Sequence, residues 1–314
     1  MRNKTKINIS QIQVKALQAD LLHNLLKSMR PVYWVKNTLV FTGLIFSFHL
    51  FQWEVIWRSL QAFCLFCMAG SGVYLLNDLC DIEDDRWHPK KRFRPLASGD
   101  LNPKAAQDAM GILIGTSLLG GFVFSSKFGF VLGVYLLLNI LYSFGLKKIV
   151  VLDAMIVAVC FILRAIAGAL VVDMAVSIWL VLCTFSLGLF LSFGKRWHEL
   201  KTMNGMARNH RKSLQYYTTQ MLYYLLVVTG VSSMIIYTFY TMAPDVVERF
   251  NTLYLPLTIP FVIFGIFRYI YLARLSADVG NPVQLFITDR PQIINAILWI
   301  ISVCLIIYGN RPHI

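Results

Sequence analysis

Asn77, Asp78, Asp81 and Asp85 follow one another at spacings of one, three and four residues, directly after a long apolar run. On a helix that turns about 100° per residue, all four fall within about 100° of one another, so one amide and three carboxylates share a stripe. Carboxylates this close repel unless a cation neutralises them. Hard oxygen donors of this kind suit Mg²⁺, which commonly binds a few carboxylates together with substrate phosphates. The complementary charge follows at once, in Arg86, Lys90, Lys91, Arg92 and Arg94. Guanidinium and ammonium groups donate to phosphate oxygens. Acid for a metal beside base for a phosphate predicts a Mg²⁺–diphosphate site, with Asn77, Asp78, Asp81 and Asp85 as the metal ligands.

A second charged block, Ser192-Phe-Gly-Lys-Arg-Trp-His-Glu-Leu200, contains Lys195 and Arg196 with Glu199 as its only acid. It reads as an anion site rather than a metal site. Lys36 lies close to the start of an apolar run, where it either faces a cavity or snorkels to the interface. Asp153 and Arg164 stand within another apolar run, where ionisable groups face a cavity or each other. Their separation of about three turns argues against direct pairing. His88, His198 and His210 have no carboxylate at a relay spacing and read as satisfied surface histidines. No general base is evident.

These residues need a scaffold, and composition identifies its solvent. The 314 residues are 57% hydrophobic and only 14% charged, with a mean hydropathy of +0.61. A soluble chain is neither so apolar nor so poor in charge. The net charge of +13 is spread over short segments between apolar runs, which argues against nucleic acid and for membrane topology with anionic ligands. The mostly polar stretch before the first apolar run is not that of a cleavable signal. The six cysteines lie mostly in apolar segments without zinc spacing and read as packing residues.

Nine segments come close to the about 20 apolar residues a span requires: 32–51, 56–77, 105–123, 128–144, 150–172, 175–194, 217–241, 252–274 and 291–309. None alternates with the period of a barrel strand, so the fold expected is all-α, a polytopic bundle of nine transmembrane helices. With nine spans, every basic residue except Arg58, Lys127, Arg164, Arg249 and Arg311 falls on one side. The positive-inside rule makes that side, with the N-terminus and both charged blocks, cytoplasmic. Residues 1–30 are then a cytoplasmic segment and 31–314 a transmembrane catalytic domain. Val14, Leu17, Leu21 and Leu25 recur at helical spacing, as in an interfacial helix. The pairs Gly111/Gly115 and Gly129/Gly133 predict close helix packing, within one chain or between copies in a homo-oligomer.

The run from Asn77 to Asp85, continued by Arg94-Pro-Leu-Ala-Ser-Gly99, resembles the first signature of the UbiA-type membrane prenyltransferase superfamily. Arg30-Pro-Val-Tyr-Trp-Val-Lys-Asn37 is similar to that family's opening of helix one. Three blocks are similar to its polyprenyl-phosphate phosphoribosyltransferase subgroup: Asp85-Arg-Trp-His-Pro-Lys-Lys-Arg-Phe-Arg-Pro-Leu96, Tyr142 to Asp153, and the block around Lys195. The resemblance implies Mg²⁺-dependent transfer of a phosphoribosyl group from 5-phosphoribosyl 1-diphosphate to a polyprenyl phosphate. It implies catalytic roles for Asp78, Asp81 and Asp85, and for Tyr142, Lys147 and Asp153, which align with the subgroup's signature. Lys147, Arg86, Lys90 and Arg92 or Arg94 are expected to bind the ribosyl donor, and Lys195 and Arg196 the acceptor phosphate, with Lys36 facing the same cavity.

The same resemblance implies that a member transferring a prenyl group to an aromatic acceptor would carry a second acidic cluster after helix six, which this sequence lacks. Asp278 and Asp289 are too far apart to supply it on one helical turn. An anion transporter would place its binding groups near the bilayer midplane within repeated halves. No repeated half is evident, and the polar groups gather at one face.

Overall fold

The computed structural model describes residues 20–202, 212–275 and 288–309. The described residues form helices and connecting turns, with no strand among them. In chain order the helices are α1 (20–29), a 3₁₀ segment Pro31–Val40 continued by α2 (Phe41–Phe46), α3 (Trp53–Cys80), α4 (Ile82–Arg86) and α5 (Pro95–Ser98). They continue with α6 (Pro103–Phe124), α7 (Ser126–Phe144), α8 (Leu152–Val171) and α9 (Ile178–Thr202). Last come α10 (Thr219–Met242), α11 (Pro244–Phe250), α12 (Ile259–Leu275) and α13 (Arg290–Gly309).

Among the described residues, eight helical segments are long and apolar enough to cross a membrane. The first apolar run is the exception to the nine continuous α-helices expected, because it winds mainly as 3₁₀. Ten residues at about 2.0 Å and six at about 1.5 Å nevertheless extend about 29 Å, close to the hydrocarbon thickness. This segment is held by α8 through a contact that only glycine permits. A Cβ on Gly43 would strike the carbonyl oxygen of Gly168, and one on Gly168 would strike that of Val40.

The helices bury two main clusters. Phe66, Phe128, Leu132, Tyr135 and Leu163 join α3, α7 and α8, while Phe190, Trp197, Leu222, Leu226 and Tyr269 join α9, α10 and α12. Outward faces carry exposed Leu119, Val123, Phe130, Phe239 and Leu305. In water such faces would aggregate, whereas lipid tails solvate them. The glycine pairs divide. A side chain on Gly129 would collide with Phe122, but Gly111 and Gly115 meet nothing, so the close packing expected of that pair is absent among the described residues.

A third cluster supports the loop after α3. Leu75, Leu96, Leu101 and Ala106 pack with Leu25 and Met29 of α1, and Asn24 Nδ2 donates to the Asp100 carbonyl at 3.1 Å. Within α1 it is thus Leu25, Ser28 and Met29 that face the protein, while Leu21, Leu22 and Leu26 are exposed. Val14 and Leu17 of the expected interfacial stripe lie outside the described residues.

Candidate active site

The acidic stripe forms across a helix end. α3 stops at Cys80, yet Asp81 N–H still donates to the Asn77 carbonyl at 3.0 Å and Asp85 N–H to that of Asp81 at 2.8 Å. The i, i+4 spacing therefore survives the turn into α4 and aims the acids at one cavity. That cavity has a volume of about 1820 Å³ and runs from the loop ends of α3 and α7 to Trp179 and Arg249 near the opposite end. Its middle is apolar, lined by Val73, Ile156, Phe161, Leu187 and Ile266, a lining suited to a lipid tail.

Each carboxylate already has a basic partner. Asp78, 2% exposed, pairs with Arg30 and with Arg94 at 3.1 Å. Asp85, 3% exposed, pairs with Arg94 and with Lys91 at 3.8 Å. Lys147 Nζ reaches Asp81 at 2.5 Å, and Ser143 Oγ donates to Asn77 Oδ1 at 2.7 Å. Four bases thus stand on three acids. No group of three metal-capable side chains is drawn together among the described residues. Burial pushes the Asp85 carboxyl above its usual range, and the charges of Arg94 and Lys91 pull it part of the way back. Arg30 is held more firmly protonated than usual, because the attraction of Asp78 outweighs the opposing effect of burial.

The basic loop divides its residues between two environments. Lys90, Lys91 and Arg94 line the cavity, whereas Arg86 bonds Glu83 at 3.0 Å and Arg92 lies over the Phe93 ring at 4.8 Å, both away from it. The donor-binding role expected of Arg86 and Arg92 therefore finds no support in their placement. They share the outer surface with exposed Trp87 and Phe93, a mixture suited to lipid headgroups. His88 is buried rather than superficial, and its Nδ1 accepts the N–H groups of Lys90 and Lys91, both at 3.1 Å, which fixes the turn. His198 is also buried, and His210 lies outside the described residues.

Asp153 does not face the acidic stripe. It is fully buried at the start of α8, where Arg196 Nε donates to Oδ2 at 2.6 Å and Tyr217 Oη to Oδ1 at 3.2 Å. Tyr217 also accepts Val151 N–H at 2.7 Å. Val151 has φ 67°, a strained conformation for a β-branched residue that its surroundings must enforce. Tyr217 thus secures the segment between Lys147 and Asp153. Burial, and after it the neighbouring charge of Asp153, push its phenol up to about 12. Lys195 pairs with Glu199 at 3.8 Å, and Tyr142, Lys195 and Arg196 all line the cavity.

Arg30, Ser143 and Tyr217 were not among the candidates drawn from sequence. Arg30 carried a signal of a kind, as a lone base ahead of Pro31 and an apolar run. Tyr217 carried none, since its role depends on a contact 66 residues away in sequence. Asp289 bonds Arg268 through both oxygens, at 2.8 and 3.1 Å, and does not line the cavity; Asp278 lies outside the described residues.

The UbiA prenyltransferase family model matches residues 38–288. Among curated proteins, the chain is 32% identical to decaprenyl-phosphate phosphoribosyltransferase of Mycolicibacterium smegmatis, covering 92% of this chain and 94% of that one. It is 30% identical to the decaprenyl-phosphate phosphoribosyltransferase of Corynebacterium glutamicum, covering 92% and 88% respectively. Among solved structures, a UbiA homologue from Archaeoglobus fulgidus bound to GPP and Mg²⁺ superposes with a TM-score of 0.69 at 18% identity, over 91% of this chain and 99% of that one.

Proposed function

From the premise that this chain belongs to the UbiA prenyltransferase family, we propose that it transfers a 5-phosphoribosyl group from 5-phosphoribosyl 1-diphosphate to a long-chain polyprenyl phosphate. An oxygen of the lipid phosphate bonds the anomeric carbon, and the bond from that carbon to the diphosphate breaks, its electron pair leaving on the diphosphate. No proton need be removed from the acceptor, because a phosphomonoester is largely ionised above a second pKa of about 6. This agrees with the lack of an evident general base. The resemblance to two phosphoribosyltransferases over nearly the whole chain supports the assignment. The observation that carries it is the basic charge that shares the cavity with the acidic stripe. Lys195 and Arg196 stand where a prenyl-diphosphate enzyme would need a second acidic cluster.

The donor set Asn77, Asp78, Asp81 and Asp85 fits a hard divalent cation, being oxygen throughout. Mg²⁺ bound there would stabilise the negative charge of the departing diphosphate. The carboxylates must release Arg30, Arg94, Lys91 and Lys147 to take it, and those bases are then free for phosphate oxygens. Metal and diphosphate should therefore bind together. In calorimetric titration Mg²⁺ alone is expected to bind weakly, and diphosphate to tighten it by about tenfold or more; equal affinity with and without diphosphate would remove this account of the ion pairs. Because Asp85 holds its proton above the ordinary carboxylate range, its contribution to the metal site should begin to fail at a higher pH than an exposed Asp would allow. For stability the sign is opposite, since a carboxyl with a raised pKa is less of a liability once protonated.

The basic excess of the loops supports a cytoplasmic N-terminus and active site in an integral membrane protein. The function is tested with purified protein in detergent, Mg²⁺, polyprenyl phosphate and 5-phosphoribosyl 1-diphosphate labelled in the ribose. Label is expected in the lipid phase. Label that stays in water, with product formed instead from polyprenyl diphosphate and an aromatic acceptor, would make the chain an ordinary prenyltransferase.

A further inference from the structure

Among the described residues, no acid balances two cations deeper in the cavity. The 3₁₀ segment has about three residues per turn, so Tyr33, Lys36 and Leu39 form one row, which Arg30 and Thr42 flank, and all five line the cavity. An α-helix would drift off this row, and the tighter winding is what brings Lys36 inward. Across from it, Arg164 of α8 is 7% exposed and lines the same cavity.

The partners of Arg164 are all neutral. Its Nε donates to Asn37 Oδ1 at 2.7 Å, Nη1 to the Cys160 carbonyl at 2.6 Å, and Nη2 to Tyr135 Oη at 2.9 Å. A guanidinium has five N–H donors, so two remain after these bonds. Lys36 Nζ stands 5.1 Å from the Tyr33 ring centroid. Among the described residues, no carboxylate pairs with either cation. Like charges sharing a cavity within a membrane need an anion between them.

We propose that Lys36 and Arg164 form the subsite for the acceptor's lipid phosphate, with Asn37 and Tyr135 holding the guanidinium in place. The proposal rests on the phosphoribosyl-transfer reading for the identity of the anion. The donor, with its diphosphate and its 5-phosphate, is wholly polar and suits the loop bases at the mouth, whereas the deeper pair adjoins the apolar lining that a lipid tail requires. Lys36 follows Arg30 by six residues, about 12 Å of 3₁₀ rise into the bundle. A lipid phosphate there has its tail directed into the apolar part of the cavity and its oxygen toward the donor. Lys195 and Arg196, expected to hold this phosphate, are engaged with Glu199 and Asp153.

The test measures binding of radiolabelled polyprenyl phosphate to purified protein without Mg²⁺ or ribosyl donor, with polyprenol and inorganic phosphate as competitors. Wild type should prefer polyprenyl phosphate to polyprenol by about tenfold or more. Lys36→Met should erase most of that preference, raise the KM for the lipid phosphate and leave that for the ribosyl donor unchanged. Arg164→Lys keeps the charge but loses the fork, and should reproduce the loss in part. Thermal unfolding of both variants checks that they fold. Equal binding of polyprenyl phosphate and polyprenol by wild type, or unchanged lipid-phosphate affinity in folded Lys36→Met, would overturn the subsite. Displacement by inorganic phosphate as effective as by the lipid phosphate would overturn the lipid assignment. A chain that bound lipid phosphate through Lys36 yet transferred no ribosyl group would refute the transferase reading and uphold the subsite.

Discussion

Asp81→Ala is expected to lower the turnover of Mg²⁺-dependent transfer by roughly 10²–10³, the loss typical when one preorganised charge-stabilising group is removed. Asp81 lies on the cavity rim with its side chain 29% exposed, and its partner Lys147 is 19% exposed. Removing the carboxylate therefore strands no deeply buried charge, and folding should survive. Asp78→Asn should lose as much activity but also destabilise the protein, because Arg30 and Arg94 both lean on that buried carboxylate. Initial rates set beside thermal unfolding separate the two effects. Asp81→Ala with a rate within tenfold of wild type would exclude this residue from the metal site.

The second large effect concerns stability. Asp153→Asn leaves the Arg196 guanidinium, 2% exposed, without its counter-charge. Stranding one member of a buried pair costs roughly 3–5 kcal/mol. Arg196 then keeps the Ser192 carbonyl, which accepts from Nη1 at 2.7 Å, while its Nη2 has no hydrogen-bond partner among the described residues. The same change weakens the hold of Tyr217, and with it the strained backbone at Val151. Replacing both members with leucine should be less damaging than either single change, because an apolar pair needs no charge compensation. Denaturant unfolding in detergent of Asp153→Leu, Arg196→Leu and the double variant gives the comparison. A double variant as unstable as the sum of the singles would mean that the pair is not coupled.

Much of the site was legible because it is local. The acids from Asn77 to Asp85 and the bases after them lie within one stretch, and helical spacing alone placed them together. The membrane fold was legible too, because spans of about 20 apolar residues and a one-sided basic excess are coarse signals. What escaped depends on distance or winding. Sequence could not show that Asp153 turns to Arg196 of α9 and away from the acidic stripe, or that each acid of the stripe meets a base. The 3₁₀ form of the first segment changes which residues share a face, and this decides that Lys36 faces the cavity. Its apolar pattern is compatible with either winding. Gly43 and Gly168 meet across 125 residues of sequence, and neither belongs to the G-x-x-x-G pairs that spacing picked out. Arg86 and Arg92 look like their neighbours in sequence, and only the turn stapled by His88 separates those facing the cavity from those facing outward.

The most direct test of the transferase reading follows both halves of the donor in one reaction. 5-Phosphoribosyl 1-diphosphate carrying ³H in the ribose and ³²P in the terminal phosphate of the diphosphate is incubated with the protein, Mg²⁺ and polyprenyl phosphate. Tritium is expected to enter the lipid phase while an equal amount of ³²P appears in water as diphosphate. Phosphorus label entering the lipid without tritium would mean that a phosphoryl group, not the ribosyl group, is transferred, and would contradict the mechanism.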